Sequence, residues 1–289
     1  MTHVVSPSEQ RTAVAVVARL IERHYVFAQD ARTYEDALRA GVRLDDTVPA
    51  ADFCRAATEA LRSIDRHFAV TWGTSETVLR VTTTPDDGPA ITADVVGSVG
   101  VLAVRVFDDA DAPAAREVAR AAAQELEGCA SVIVDLRANP GGWPSMVEYL
   151  LAPFLGAHPV HVVTFRSTRA PARMAWTRPD PDLPDLSRVR VIVVVDQHTA
   201  SAAESFAYAL QTTGRATVVG ERTAGAANPV ELFTDPTGPA VYIPTGAPID
   251  PRSGTNWDHV GVRPDVGAPS GDALAVARDL STVAAPPSG

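Results

Sequence analysis

Asp196-Gln-His-Thr-Ala-Ser-Ala-Ala-Glu-Ser-Phe-Ala-Tyr-Ala-Leu210 is the stretch that decides the fold. The β-branched run Val191 to Val195 precedes it and predicts a buried strand. Ala202, Phe206, Ala209 and Leu210 then recur at helical spacing and predict a helix over 201–213. Ser201 therefore sits where a strand gives way to a helix. Backbone N–H groups at such a point have no partner within the helix, and the helix dipole adds positive charge. Two readings of Ser201 stand side by side. It caps the helix, or it is a nucleophile whose attack creates an oxyanion next to those N–H groups.

The pattern around this stretch alternates. Strands are predicted over 99–107, 131–137, 160–165, 189–195 and 216–220, and helices over 111–127, 144–155 and 201–213. Asp111 is the expected cap of the first of these helices, Pro113 opens it and Gly128 stops it. Extended pieces follow at 230–234 and 240–243, then a C-terminal helix at 272–281. Alternating strands and helices predict an α/β fold with a largely parallel sheet covered on both faces. Residues 166–188, rich in Arg, Pro and Asp, read as a long loop. The N-terminal part reads as helices: one with Val14, Val17, Leu20, Ile21 and His24 on one face, one over 33–40, and one over 50–64. The segment 66–70 leaves this bundle, and an extended piece at 78–83 and a Pro-Asp-Asp-Gly turn at 85–88 follow. The expected domains are an N-terminal helical domain, 1–85, and an α/β domain, 86–289. The last residues, 284–289, are expected to fray.

Composition narrows the function classes. The 289 residues are 46% hydrophobic and 21% charged, enough for a sizeable core. The net charge is −10 without a basic cluster, which disfavours nucleic acid as a partner. No apolar run approaches the ~20 residues of a membrane helix. Residues 1–11 carry neither a basic flank nor an apolar stretch of signal length, so a cytoplasmic location is expected. Cys54 and Cys129 read as buried thiols, with no zinc spacing. All 25 basic residues are arginine. A lysine base or Schiff base is thereby excluded. Neither a metal nor an organic cofactor is expected, because no ligand cluster or dinucleotide fingerprint is present.

A second turn, Asn139-Pro-Gly-Gly142, lies between the 131–137 strand and the 144–155 helix. Its glycines permit close backbone approach and can turn N–H groups toward a ligand. A phosphate loop would want a lysine, and a plain tight turn is the other reading. Paired with the turn at Ser201, it suggests an oxyanion hole built from the N–H of Gly141 or Gly142 and that of Ala202. A serine nucleophile needs a base. Among the seven histidines, His3 is terminal, His24 lies on a helix face, and His158 and His161 flank a strand. His198 is too close in sequence to Ser201 to reach its hydroxyl easily. His67 and His259 remain, and residue chemistry alone does not choose between them.

Four segments in order carry a resemblance. They are Val134-Asp-Leu-Arg-Ala-Asn-Pro-Gly-Gly142, Thr199-Ala-Ser-Ala-Ala-Glu204, Gly214-Arg-Ala-Thr-Val-Val-Gly-Glu-Arg-Thr-Ala-Gly225 and Trp257-Asp-His-Val-Gly-Val-Arg-Pro-Asp265. Together they resemble the tail-specific (C-terminal processing) serine peptidase family. The 243–257 segment and Arg23-His-Tyr-Val-Phe27 look like its branch of interphotoreceptor retinoid-binding protein modules and their bacterial relatives. The resemblance implies a crotonase/ClpP-like core of ββα units, with Ser201 as nucleophile. Ala226 stands where tail-specific enzymes carry their lysine base. There is also little room before the core for their PDZ domain. The chain is similar instead to the tricorn-protease-like arrangement, which implies His67 as base and Asp258 as its supporting acid. Glutamate is usual at the latter place, and Asp-Arg-His-Phe replaces the commoner Asp-Gly-His-Thr pattern around His67. Glu204 and Glu221 are motif positions read as anchors of the turns.

The expected function is a serine hydrolase, peptidase or acyl transferase, working through a Ser201 acyl-enzyme on a small molecule or short peptide. The alternatives are a binding module for a retinoid or fatty acid, and a crotonase-like thioester enzyme. Trp143, Met146 and Tyr149 are candidates to line an apolar pocket, with core packing as the other reading. Arg166, Arg169, Arg173, Trp176 and Arg178 are candidates for a lid that clamps a carboxylate. An oligomer is compatible with the sequence.

Overall fold

A computed structural model describes residues 3–73, 89–168, 170–236 and 238–282. In chain order its elements begin with β1 (Val4–Val5), α1 (Pro7–His24), α2 (Ala31–Gly41), β2 (Val48–Pro49), α3 (Ala50–Arg62) and β3 (Ala69–Trp72). Then come β4 (Ile91–Val96), β5 (Val99–Val104), α4 (Pro113–Gln124), β6 (Ser131–Asp135), α5 (Pro144–Leu155), β7 (His161–Ser167) and β8 (Arg173–Trp176). The rest comprises β9 (Arg190–Val195), α6 (Ala202–Thr212), β10 (Ala216–Gly220), β11 (Val230–Thr234), β12 (Pro239–Pro244), β13 (Gly246–Ile249), β14 (Val266–Gly267) and α7 (Ser270–Thr282). No described helix is long and apolar enough to cross a membrane.

Contacts gather these elements into two compact units. The smaller takes its residues from Met1–Arg80, Phe165–Ala172 and Asn228–Pro248. In it, Ser6 and Glu9 close a capping box at the start of α1, with Pro7 in the first turn, so the helix begins where its orphan N–H groups find acceptors. Val14, Val17 and Ile21 form the buried stripe of α1 and meet Phe53, Leu61 and Phe68. The expected helical N-terminal unit also holds an antiparallel sheet, β11-β12-β3, in which Val241 pairs with Val70 and Tyr242 with Ala69. Every residue of β12 is buried, and Val241 and Ile243 belong to the same core as α1. The domain boundary expected at 85/86, the extended piece at 78–83, the turn at 85–88 and the frayed tail at 284–289 lie outside the described residues.

The larger unit takes its residues from Val81–Thr164, Arg173–Ala227 and Ile249–Gly289. Its six-stranded sheet runs β14-β10-β9-β6-β5-β4. All neighbours are parallel except the β4–β5 hairpin. The expected mixed α/β class with a largely parallel sheet is what forms. Side chains alternate across the strands. Ile133, Ile192, Val194 and Val219 pack with Ala273 and Ala277 of α7 on one face. Val132, Val134, Val191 and Val193 point the other way and are buried as well. Phe206 of α6 meets Phe107 and Phe154 at ring distances of 5.7 and 6.3 Å.

Local differences have local causes. The strand expected to reach residue 107 stops at Val104, and Phe107 makes only a single bridge, to Gly142. Helix α4 starts at Pro113 with Ala112 as cap, because the Asp111 carboxylate pairs with Arg178 at 2.7 Å instead of capping. The expected loop 166–188 contains the short strand β8.

At the end of β6, buried Asp135 accepts from Arg137 Nε at 2.8 Å and Nη2 at 2.9 Å, and from Arg105 Nη2 at 3.2 Å. Burial alone would raise its pKa, but these bonds outweigh burial and hold the carboxyl below the ordinary aspartate range. The unfolded chain therefore binds this proton more tightly than the folded one. The resulting stability is present above about pH 4 and is lost as pH falls below it. Asp135→Asn is expected to flatten the acid limb of a stability-versus-pH curve measured by urea unfolding.

Candidate active site

The site in the larger unit begins with the backbone of Ser201. Strand β9 is buried to its last residue, Val195, and the chain must turn sharply to start α6. Ser201 takes φ 54° and ψ −118°, a conformation that costs a non-glycine residue about 1–3 kcal/mol. Its neighbours Ala202, Ala203 and Glu204 are buried while Ser201 itself is exposed. The strained turn thus lifts the Ser201 side chain out of a buried floor.

Two buried side chains hold that turn. Asp196 accepts from the N–H groups of His198 and Thr199 at 2.9 and 3.0 Å, and from Ala138 N–H at 3.1 Å. It also accepts from Ser270 Oγ at 3.2 Å, and Glu221 Oε1 accepts from Ser270 N–H at 3.4 Å. Glu204 accepts from Ser201 N–H at 2.9 Å and Ala226 N–H at 2.8 Å, and also from Gly225 N–H and the Thr223 hydroxyl. Burial pushes the Glu204 carboxyl above the usual range, and these four donors oppose the rise. The carboxylate ties the start of α6 to the 223–226 turn. Ala226, at the tail-specific lysine position, is one of its backbone partners.

The Asn139–Gly142 turn packs directly on this elbow. Ala200 N–H donates to the Asn139 carbonyl at 2.9 Å, and buried Asn139 anchors the turn by donating from Nδ2 to Val104 O at 2.8 Å. A Cβ on Gly141 would stand 2.7 Å from Ser201 Cβ and 3.0 Å from Ala202 N, so only glycine allows this approach. The Gly141 N–H, one of the expected oxyanion donors, donates instead to Asn139 Oδ1 at 2.8 Å. It is corrected to a brace of the turn. Gly142 differs. Its bridge to Phe107 uses the Gly141 carbonyl and the Trp143 N–H, at 2.9 and 2.7 Å, and leaves its own N–H out. The N–H groups of Gly142 and Ala202 make no hydrogen bond to any described residue.

The other expected residues divide. Trp143, 59% exposed, directly follows Gly142 and stands at the start of α5. Met146 and Tyr149 are buried, because nearly every residue of α5 faces packed neighbours, and Met146 is corrected from pocket lining to core. Trp176 is 44% exposed and stacks on His161. Arg173 and Arg178 hold buried Glu148 at 3.2 and 2.7 Å, which already gives them a carboxylate partner within the fold. Arg166 is exposed and belongs to the smaller unit, and Arg169 lies outside the described residues. Cys54 and Cys129 are buried free thiols.

Ser201 and Asp258 belong to the larger unit, His67 to the smaller. Asp258 Oδ1 accepts from Ala227 N–H at 2.9 Å, and Oδ2 lies 3.3 Å from His259 Nε2. His67 Nδ1 lies 2.8 Å from Asp65 Oδ1, which also accepts the His67 backbone N–H at 2.9 Å. Sequence reasoning did not single out Asp65. The available signal was the Asp-x-His spacing, since an aspartate readily accepts the N–H two residues on.

Residues 98–268 match the profile of peptidase family S41. The chain belongs to this family. Among S41 relatives, the carboxyl-terminal-processing protease of Synechocystis sp. is 32% identical over 169 residues, covering 58% of this chain and 37% of that protein. The carboxy-terminal-processing protease of Bartonella bacilliformis is 28% identical, covering 61% and 40%. The chain thus spans about two-fifths of the length of these curated relatives. Among solved structures, the photosystem II D1 C-terminal processing protease aligns with a TM-score of 0.63 at 17% identity, over 96% of this chain and 98% of that one. A protein from Parabacteroides merdae aligns with a TM-score of 0.73 at 16% identity, over 96% and 97%. At such identities the shared property is the fold.

Proposed function

We propose that this S41 member is a serine peptidase that cleaves short or unfolded peptides through an acyl-enzyme on Ser201. The observation that carries the reading is the exposed Ser201 hydroxyl on a strained elbow, beside the unengaged N–H groups of Gly142 and Ala202. Oγ attacks the peptide carbonyl, and His67 takes its proton. The carbonyl oxygen becomes an oxyanion held by the two N–H groups. The C–N bond then breaks, and the proton passes from His67 to the leaving amine. Water repeats the cycle on the acyl-enzyme. One oxyanion donor contributes roughly 10²–10³-fold and the base roughly 10²–10⁴-fold.

The larger unit fits a crotonase/ClpP-like core, with the β4–β5 hairpin and α4 as a ββα unit. Residues 63–90, between α3 and β4, leave little room for the PDZ domain of tail-specific enzymes, which favours substrates with free, extended chain. Trp143 supplies an apolar wall next to the oxyanion turn. The test is incubation of the pure protein with an unstructured polypeptide, with fragments read by mass spectrometry. Cuts are expected with wild type and lost in Ser201→Ala and His67→Ala. Micromolar fatty-acid binding with no cleavage by any of the three would sink the reading.

A further inference from the structure

We propose that Asp65, braced by Tyr25 and Tyr34, is the carboxylate that positions His67. The proposal rests on the reading of His67 as the base and adds a role for three side chains of the smaller unit. Asp65 is 1% exposed, and the His67 side chain 12%. One oxygen, Oδ1, serves both the ring Nδ1 at 2.8 Å and the backbone N–H of the same histidine at 2.9 Å. Backbone and ring of His67 are thereby fixed to a single point. The other oxygen, Oδ2, accepts from Tyr25 Oη at 3.3 Å, and Tyr25 Oη in turn accepts from Tyr34 Oη at 2.8 Å. The rings of Tyr25 and Tyr34 pack edge to face at 5.0 Å, and both lean on Phe68 next to the histidine.

The chemistry of this chain is directional. A carboxylate only accepts, so an ionised Asp65 requires the proton of a neutral imidazole to sit on Nδ1. The basic nitrogen is then Nε2, the one needed to take a proton from a serine. Burial pushes the Tyr25 phenol far above its ordinary pKa, so it stays a donor throughout the working range. Tyr25 keeps Oδ2 occupied and the carboxyl plane fixed. Asp65 and Tyr25 are positioning residues, acting through His67.

The test pairs kinetics with ¹⁵N NMR of the histidine side chains, which reads the ring tautomer of resting protein without needing activity. Wild type should show His67 protonated on Nδ1. Asp65→Asn should move the proton to Nε2 and lower kcat by roughly 10³–10⁴-fold with little change in KM. Tyr25→Phe should keep the Nδ1 tautomer and lower kcat about tenfold, the loss of one hydrogen bond to a charged group. Asp258→Asn should leave the tautomer unchanged. The proposal is overturned if Asp258→Asn moves the proton and Asp65→Asn does not. It is also overturned if Asp65→Asn and Tyr25→Phe lower the melting temperature alone, with tautomer and kcat intact. Should the protein prove not to be a peptidase, the tautomer result still decides the role of Asp65.

Discussion

Ser201→Ala is expected to lower peptide turnover by at least ~10³-fold while leaving the fold intact. The hydroxyl is exposed, and the turn is held by Glu204 through the Ser201 N–H, which alanine retains. The positive φ is equally strained with either residue, and alanine loses the hydroxyl's half of the capping box with Glu204, so the stability change should be about 1 kcal/mol. Activity and stability are thereby separated in one variant. What remains should be the small catalysis that the oxyanion donors and binding supply without a nucleophile. kcat and urea unfolding on the same preparation check both halves. Unchanged turnover would remove Ser201 from the chemistry.

Gly142→Ala should be among the most damaging single substitutions in the chain. Its Cβ would stand 2.1 Å from the Phe107 carbonyl oxygen, at φ +134°. The bridge between Phe107 and this turn must then open, and the Gly142 N–H, proposed above as an oxyanion donor, moves with it. Backbone strain and two lost backbone hydrogen bonds together amount to about 3–5 kcal/mol. Gly156→Ala is the control. It also has positive φ, +101°, but a Cβ there meets nothing within 4 Å. It should cost only the backbone strain of φ +101°, ψ 178°, about 1–3 kcal/mol. Equal losses in the two variants, measured by urea unfolding, would contradict the close approach as the cause.

What the sequence shows and what it hides follow from the range of each interaction. Helix α5 opens on Pro144 and is legible over its full length, and β10 is a β-branched run with turns on both sides. The elbow at Ser201 is legible because a strand pattern and a helix pattern meet there. The pairing of β3 with β12 is hidden, since no local signal joins residues so far apart in the chain. The role of Met146 is hidden because α5 has no exposed face to betray its direction. Which glycine offers its N–H depends on the dihedral angles of Gly141 and Gly142, which residue types permit but do not choose. Asp65 is hidden for a similar reason. Its partner Tyr25, and Tyr34 behind that phenol, come from other segments of the smaller unit, and only the fold brings a phenol to its second oxygen. The resemblance supplied an acid by motif position, whereas the short-range Asp-x-His contact supplies one by geometry.

Covalent mapping of the nucleophile tests the central claim most directly. The wild-type protein is treated with a fluorophosphonate, digested, and the modified residue located by tandem mass spectrometry. A single phosphonyl group on Ser201, gained in step with loss of peptide cleavage and absent from His67→Ala, is the predicted result. Full inactivation with the group on another residue, or cleavage that persists with Ser201 fully modified, would contradict it.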